Sequence, residues 1–315
     1  MKEIASCVVC GEKKFSFLFK GSDRMHDVVG EYSLNQCDHC GLIFVNPQPE
    51  GEELSRHYPA DDYVATRGGG RPNLEILLTA TYASKGKWLK KFLLFPLKPK
   101  GRSLPVVPKG RLLDVGCGVG YFLETAKQID MDGYGVLPGE FDRGLAEKNE
   151  LKIFQGELIE AKYPNNYFDV ITLNHVFEHI HNPAETLEEL HRILKPDGSL
   201  IIAIPQSRNL AYWLFGKYWV SLDIPRHLFI YTTALLQQFA EHHRFAVTKI
   251  RYNSLPFQFL SSLLYATNRF RRKRKLLLEK SFKNSPILFV LFLSLAHLCN
   301  LFRVGDQVEV FLKKV

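Results

Sequence analysis

The first residues, MKEIASCVVCGEKKF, contain no apolar core of signal-peptide length, so secretion is not expected and a cytoplasmic chain is. Acidic residues are outnumbered, 33 Asp and Glu against 41 Lys and Arg. The resulting net charge of +8 suggests an anionic partner such as nucleic acid, phosphate or a membrane surface. Cysteine is sparse. Six thiols in a chain without a secretory leader favour metal binding or free thiols over disulfides. No internal repeat is visible, so the chain is not assembled from repeated units. What is present is ordinary for a soluble protein: 315 residues with 46% hydrophobic and 23% charged can bury a core and hold one large domain plus a small one, or two medium domains.

Four cysteines form two pairs, CVVCG with Cys7 and Cys10, and CDHCG with Cys37 and Cys40. Each Cys-x-x-Cys-Gly is a tight turn aiming two thiolates at one metal, with a glycine that permits left-handed backbone. The stretches between them, KFSFLFKG and EYSLNQC, read as strands, giving a zinc ribbon. Four sulfurs fill a tetrahedral ion, so this Zn2+ is expected to be structural. A redox pair would occur once, at a helix start. Cys117 and Cys299 read as buried thiols. The ribbon and a loop-rich connector take residues 1–67, and a helical linker ending in a Pro- and Lys-rich hinge takes 68–109. From Arg111 strands and helices alternate, the pattern of a parallel sheet covered on both faces. Strands are expected at 111–116, 132–136, 151–155, 168–173, 199–204 and 245–252, and helices near 120–129, 140–149, 183–194 and 232–243.

The run LLDVGCGVGY is a strand breaking into glycine. Dinucleotide turns need G-x-G-x-x-G, whereas Gly116, Gly118 and Gly120 alternate and Tyr121 stands where the third glycine would fall. Asp114 puts an acid just before the loop, which suits a cationic amino-acid ligand rather than a pyrophosphate. S-adenosylmethionine is such a ligand.

LLDVGCGVGYF, YFDVITLNHVFEHI and ETLEELHRILKPDGSLIIAIP, in that order, resemble the motifs of class I S-adenosylmethionine-dependent methyltransferases over about residues 110–253. The front knuckles, with PRHLFIYT later, resemble a bacterial branch carrying an N-terminal zinc-binding region, whose members often modify sugars or natural products. The resemblance implies an α/β, Rossmann-like seven-stranded sheet with helices on both faces over 110–315. QVEVFLKKV would be the antiparallel last strand. It implies that Asp114, Gly116, Gly118 and Asn174 contact the methionine part of the cofactor and Glu157 the adenine. One position departs: the second strand normally ends in an acid for the ribose hydroxyls, and Leu137 stands there. Either Glu140 reaches back or affinity falls, since an unmet diol loses roughly 1–3 kcal/mol. A binding protein that keeps the fold without turnover is the other reading of Leu137.

Methyl transfer needs alignment and often one proton removed. His175, Glu178 and His179 follow the fourth strand, at the edge where open α/β sheets bind ligands. Glu178 and His179 resemble the Glu-His pair of quinone-pathway O-methyltransferases, which can hold a divalent metal. Asn174 four residues before Glu178 is not an acid, so that ligand set is incomplete. The same pair elsewhere only caps the next helix. In WVSLDIPRHLFIYT, His227 is a second candidate base. Arg226 either holds a substrate anion by its planar fork or pairs with Asp223 to fix the loop. LNHVF replaces the Asn/Asp-Pro-Pro-aromatic run of amino-group methylation, so nucleic acid is disfavoured and an RNA methyltransferase is the runner-up. The expected acceptor is a small molecule or a nucleotide- or lipid-linked saccharide.

The insertion 254–304 fits the family least. It holds RRKRK, and Asn284 to Phe302 carries no formal charge. A helix over 286–302 spans about 25 Å, short of the roughly 30 Å hydrocarbon core. Peripheral contact with an anionic membrane and a buried helical hairpin are both open.

Overall fold

The computed structural model describes residues 1–59, 110–127, 130–139, 143–148, 150–268 and 286–315. Strands β1 (Phe15–Gly21), β2 (Tyr32–Cys37) and β3 (Ile43–Val45) form an antiparallel ribbon, followed by the short helix α1 (Gly51–Ser55). The central sheet then begins with β4 (Arg111–Val115), α2 (Tyr121–Lys127), β5 (Asp132–Leu137), α3 (Arg143–Lys148), β6 (Lys152–Gln155) and β7 (Phe168–Asn174). Next come α4 (Pro183–Ile193), β8 (Leu194–Pro205), α5 (Leu210–Phe215), the two-residue β9 (Phe229–Ile230), α6 (Thr233–His242) and β10 (Phe245–Tyr252). The chain closes with α7 (Phe257–Asn268), α8 (Pro286–Leu301) and β11 (Gln307–Lys314).

The seven-stranded order is β10-β11-β8-β7-β4-β5-β6, with β11 antiparallel to both neighbours and the β7-β4-β5-β6 pairs parallel. This is the Rossmann-like methyltransferase architecture. Strands covered on both faces read as unbroken apolar runs, and Leu112, Leu113, Val170, Ile171 and Leu173 are fully buried. Helix α4 starts with Pro183 in its first turn and turns Leu187, Leu190 and Ile193 inward at helical spacing. Thr232 Oγ1 caps α6 by accepting from Leu235 N at 3.2 Å. Because β5 and β7 flank β4, the connections diverge there, and a crevice opens at the carboxyl ends of these strands.

β9 joins the N-terminal ribbon, not the central sheet: Ile43 pairs with Ile230 and Phe44 with Phe229, giving the order β1-β2-β3-β9. The ribbon is half-buried on both sides because side chains alternate along each strand. Phe44 joins the main core with Leu113, Ile171 and Phe177, while Leu34, Ile43 and Val45 pack with Trp219, Phe259, Ala296 and Cys299. The insertion helices therefore rest on the ribbon. Phe259 stacks on Phe292 at 5.7 Å between ring centroids. Ser254 N donates to Asn300 Oδ1 at 2.8 Å and Asn300 Nδ2 to Ser254 O at 3.0 Å, closing the insertion at its base. The other side of α8 is open, with Leu291 58% and Leu301 69% exposed. The RRKRK run and residues 68–109 lie outside the described residues.

Candidate active site

β4 delivers Asp114 to the crevice, where its carboxylate is fully buried and accepts from Thr172 Oγ1 of β7 at 2.7 Å. The chain then turns through Gly116 and Gly118, both in the left-handed region at φ 72° and 56°. A Cβ on Gly116 would lie 2.2 Å from Val176 Cγ2, so the turn packs directly on the segment leaving β7. Asn174 ends β7 beside it, and Glu157 lies just past β6, two strands over. Partial burial and the nearby Glu160 push the Glu157 carboxyl up. Leu137 ends β5 at 9% exposure and brings no acid; Glu140 lies outside the described residues.

Val176 also links this turn to the acid–base cluster. Glu178 is fully buried, yet neither carboxylate oxygen has a hydrogen-bond donor. Around it stand His175 Nδ1 at 3.4 Å and His227 Nε2 at 3.7 Å, with the His179 and His227 rings edge to face at 4.7 Å. Burial pushes the Glu178 carboxyl up, but His175, His227 and His179 outweigh it and hold it below the ordinary value. A ligand atom from each of Glu178, His179 and His227 lies within 4.8 Å of the others, a set that could hold a metal ion. The loop histidine thus stands where the sequence spacing left the Glu-His pair short of a third ligand. His175 itself is held at φ 54°, in the left-handed region.

Two backbone carbonyls fix the tautomers. His179 Nδ1 is 2.9 Å from Arg226 O and His227 Nδ1 is 2.8 Å from Ser221 O. A carbonyl only accepts, so each Nδ1 carries the proton and each Nε2 is left without one, that of His227 facing Glu178. Burial and the neighbouring His227 push His179 down to about 4. At neutral pH its Nε2 is a bare acceptor.

Arg226 does not face the crevice. It is 1% exposed, and all five N–H groups are used within the protein. Nε and Nη2 donate to Asp223 at 2.9 and 2.5 Å, Nη1 and Nη2 to Asp23 at 2.7 and 3.1 Å, and Nη1 to His57 O at 2.9 Å. Of the two readings of this arginine the structure selects the loop anchor, because no donor is left for a substrate phosphate. Asp23, in the ribbon, and His57 behind α1 are the partners that the sequence did not announce. His57 Nδ1 bonds Asp23 Oδ2 at 2.9 Å, and its Nε2 meets Tyr32 OH at 2.8 Å. Tyr58, also missed, brings its hydroxyl to 3.0 Å from His179 Nδ1. Only distance in sequence hid them.

At the ribbon's far end the knuckles bring Cys7 Sγ to 3.6 Å from Cys40 Sγ and Cys10 Sγ to 3.6 Å from Cys37 Sγ. Gly11 and Gly41 close the turns at φ 74° and 78°. Metal–sulfur bonds near 2.3 Å give a tetrahedron with edges of about 3.8 Å, so the four sulfurs could hold an ion with little movement.

The chain is 28% identical over 127 residues to the ubiquinone biosynthesis O-methyltransferase of Pseudomonas aeruginosa, covering 37% of this chain and 54% of that protein. It is 27% identical over 169 residues to ajmaline N-methyltransferase of Rauvolfia serpentina, covering 51% and 53%. The chain spans about half the length of the curated relatives it matches. Among solved structures, 1,6-didemethyltoxoflavin-N1-methyltransferase of Burkholderia thailandensis aligns over 92% of this chain and 98% of its own, at 13% identity and a TM-score of 0.45. A family model described as a methyltransferase domain matches residues 83–250, more than half of the chain. The chain belongs to this methyltransferase-domain family.

Proposed function

We propose that the chain transfers a methyl group from S-adenosylmethionine to a hydroxyl or other nucleophile of a sugar-containing or other small biosynthetic acceptor. One observation carries this reading: the glycine turn packs through Val176 onto a buried carboxylate ringed by three histidines. Asp114, Gly116, Gly118 and Asn174 would hold the cofactor's amino-acid part, and Glu157 would face its adenine. When bound, the cofactor supplies a methyl group already activated on a sulfonium. The protein then has to orient the acceptor and hold one proton. His179 Nε2, bare and fixed by its Nδ1 hydrogen bond, is the group to accept that proton. Glu178 stabilises the imidazolium that results, without a proton of its own. His227 Nε2, on the other side of the same carboxylate, is the second acceptor.

The four cysteines would hold a structural Zn2+, since four thiolates satisfy its tetrahedral preference and leave no open position. The exposed apolar side of the molecule supports peripheral membrane contact and a lipid-linked acceptor. Trp213 is 80%, Leu214 51% and Phe302 70% exposed. Among the described residues no helix is long and apolar enough to cross a membrane.

Titration calorimetry tests the cofactor assignment directly. Adenosylhomocysteine should bind, Gly116→Arg should abolish the heat, and NAD should give none. Heat from NAD and none from adenosylhomocysteine would overturn the reading. With an acceptor in hand, His179→Ala should cut turnover by about 10²–10⁴-fold while cofactor affinity holds. The same loss on His227→Ala alone would move the proton to that residue.

A further inference from the structure

The ribbon and the acid–base cluster are joined by more than packing. The loop from Trp219 to Leu228 carries His227, and it also supplies the two carbonyls, Ser221 O and Arg226 O, that set both imidazole tautomers. That loop is irregular, one short turn of 3-10 helix over Val220–Leu222 ending at Asp223 in the left-handed region at φ 36°. Its two ends are held by backbone bonds, Leu222 N on Trp219 O at 3.2 Å and Asp223 N on Val220 O at 3.2 Å at one, His227 N on Asp223 O at 3.1 Å and Leu228 N on Glu178 O at 2.9 Å at the other. Its middle is held by Leu222 and Ile224, which pack against the ribbon, and by the hydrogen bonds of the Arg226 side chain. Two of the five guanidinium bonds end on Asp23 and one on His57 O, both in the N-terminal segment more than 160 residues away. Asp23 is itself locked, its Oδ1 accepting from Met25 N and His26 N at 2.9 Å each. From the same segment Tyr58 reaches the His179 Nδ1–H a second time.

We infer that Asp23 is a positioning residue for the methyl-transfer site: through Arg226 it holds the carbonyl that keeps His179 in the Nδ1–H tautomer with Nε2 bare. The four-cysteine ribbon is then a built part of the acid–base apparatus, contributing an anion and a hydroxyl to it. The catalytic meaning of this rests on the reading above, that His179 and His227 face the acceptor. The coupling from Asp23 to His179 does not.

A charge argument favours this over a merely structural salt bridge. Asp223 already neutralises Arg226 bidentately and lies three residues away on the same loop. A second carboxylate is redundant for charge, but it comes from outside the loop and so fixes the loop's position relative to the ribbon. A bidentate carboxylate–guanidinium pair restricts both distance and plane, which a single contact does not. The Arg226 carbonyl moves with its own Cα. A loop displaced by less than 1 Å breaks a 2.9 Å hydrogen bond and frees the imidazole to exchange tautomers.

The test is imidazole nitrogen NMR on the full-length, zinc-loaded protein labelled with ¹⁵N-histidine. The His179 signals are assigned by their loss in His179→Gln. Native His179 should show one Nδ1–H tautomer. In Asp23→Asn the ratio should shift toward Nε2–H by roughly fivefold, the worth of one hydrogen bond. The signals of His191 and His243, which lie elsewhere, should stay in place, and adenosylhomocysteine should bind as before. An Asp23→Asn protein with a lowered Tm but an unchanged His179 tautomer would overturn the inference and leave Asp23 a structural ion. Should Asp23→Asn fail to fold, Tyr58→Phe deletes one hydroxyl from the same link. A perturbed His179 spectrum at nearly native Tm then supports the coupling, and an unperturbed one refutes it. Failure of adenosylhomocysteine to bind native protein would instead strike the methyl-transfer reading and leave the spectra to decide the coupling.

Discussion

Replacing Arg226 by Leu removes the guanidinium that bridges two carboxylates, Asp23 and Asp223. Asp23 and the Arg226 side chain are 0% and 1% exposed, and Asp223 is 15% exposed. Breaking a buried ion pair from one side costs about 3–5 kcal/mol, because the partner's charge stays desolvated. Here two carboxylates and the His57 carbonyl lose donors together, so the upper half of that range is expected. The pH dependence is diagnostic. Burial pushes Asp23 up, but bonds from Arg226, His26 N and His57 prevail and hold its carboxyl at about 2. A depressed carboxyl stabilises the fold above its unfolded pKa, near 3.9, and that gain is lost as pH falls toward 2. It amounts to about 2–3 kcal/mol. In Arg226→Leu the bonds from Met25 N, His26 N and His57 still oppose burial, so the Asp23 carboxyl moves up from about 2 toward its unfolded value and the loss of stability as pH falls should shrink. Chemical denaturation at several pH values reads both effects. A loss below about 1 kcal/mol, with a pH profile parallel to the native one, would refute the reasoning.

Metal analysis should find one zinc per chain, and Cys37→Ser should destabilise the ribbon and with it the packing of Phe44 and Leu34; protein free of zinc would remove the structural ion. Burial pushes Asp306 up to about 6, so its folded form binds a proton more tightly than the unfolded chain does. Stability should therefore fall by about 2 kcal/mol as pH rises from 4 to 7, and Asp306→Asn should flatten that part of the profile in denaturant melts. The protein should sediment with anionic liposomes at low salt and be released by high salt or by Trp213→Ser, whereas recovery wholly in the supernatant would leave a soluble acceptor. Leu291→Gln should leave Tm nearly unchanged and Ala296→Asp should lower it sharply, since Leu291 faces out and Ala296 is fully buried.

Much of the central sheet is legible because a parallel strand buried on both faces must be an apolar run and must end in a turn. The strands expected at 111–116, 132–136 and 168–173 lie within a residue or two of Arg111–Val115, Asp132–Leu137 and Phe168–Asn174. β8 begins at Leu194 rather than 199, because Leu194 pairs with Phe168 ahead of a register shift that no local pattern encodes. The knuckles are legible for a different reason: two thiols on one tight turn have to stand at fixed short spacing. β9 is invisible at two residues, shorter than any periodicity. The cluster around Arg226 is equally hidden. Asp23 sits in a polar loop, GSDRMHD, where a buried carboxylate carries no signature, and its partner lies 203 residues on. Glu178 and His179 announce themselves as a pair, but that His227 stands across the carboxylate is a fact of topology.

The pairing of Ile43 with Ile230 also sets a schedule. The ribbon is made before the central sheet, yet β3 has its second neighbour only after a further 187 residues, the difference between those two positions, have been made. At 5–20 residues per second this takes roughly 10–40 s. Throughout that interval β3 is a bare sheet edge with Phe44 and Val45 uncovered, the kind of strand that recruits a neighbouring nascent chain. Fragments ending before β9 should share this fault permanently. An excised ribbon is therefore expected to self-associate even with its cysteines filled, while a chain extended past Tyr231 carries its own cover for that edge.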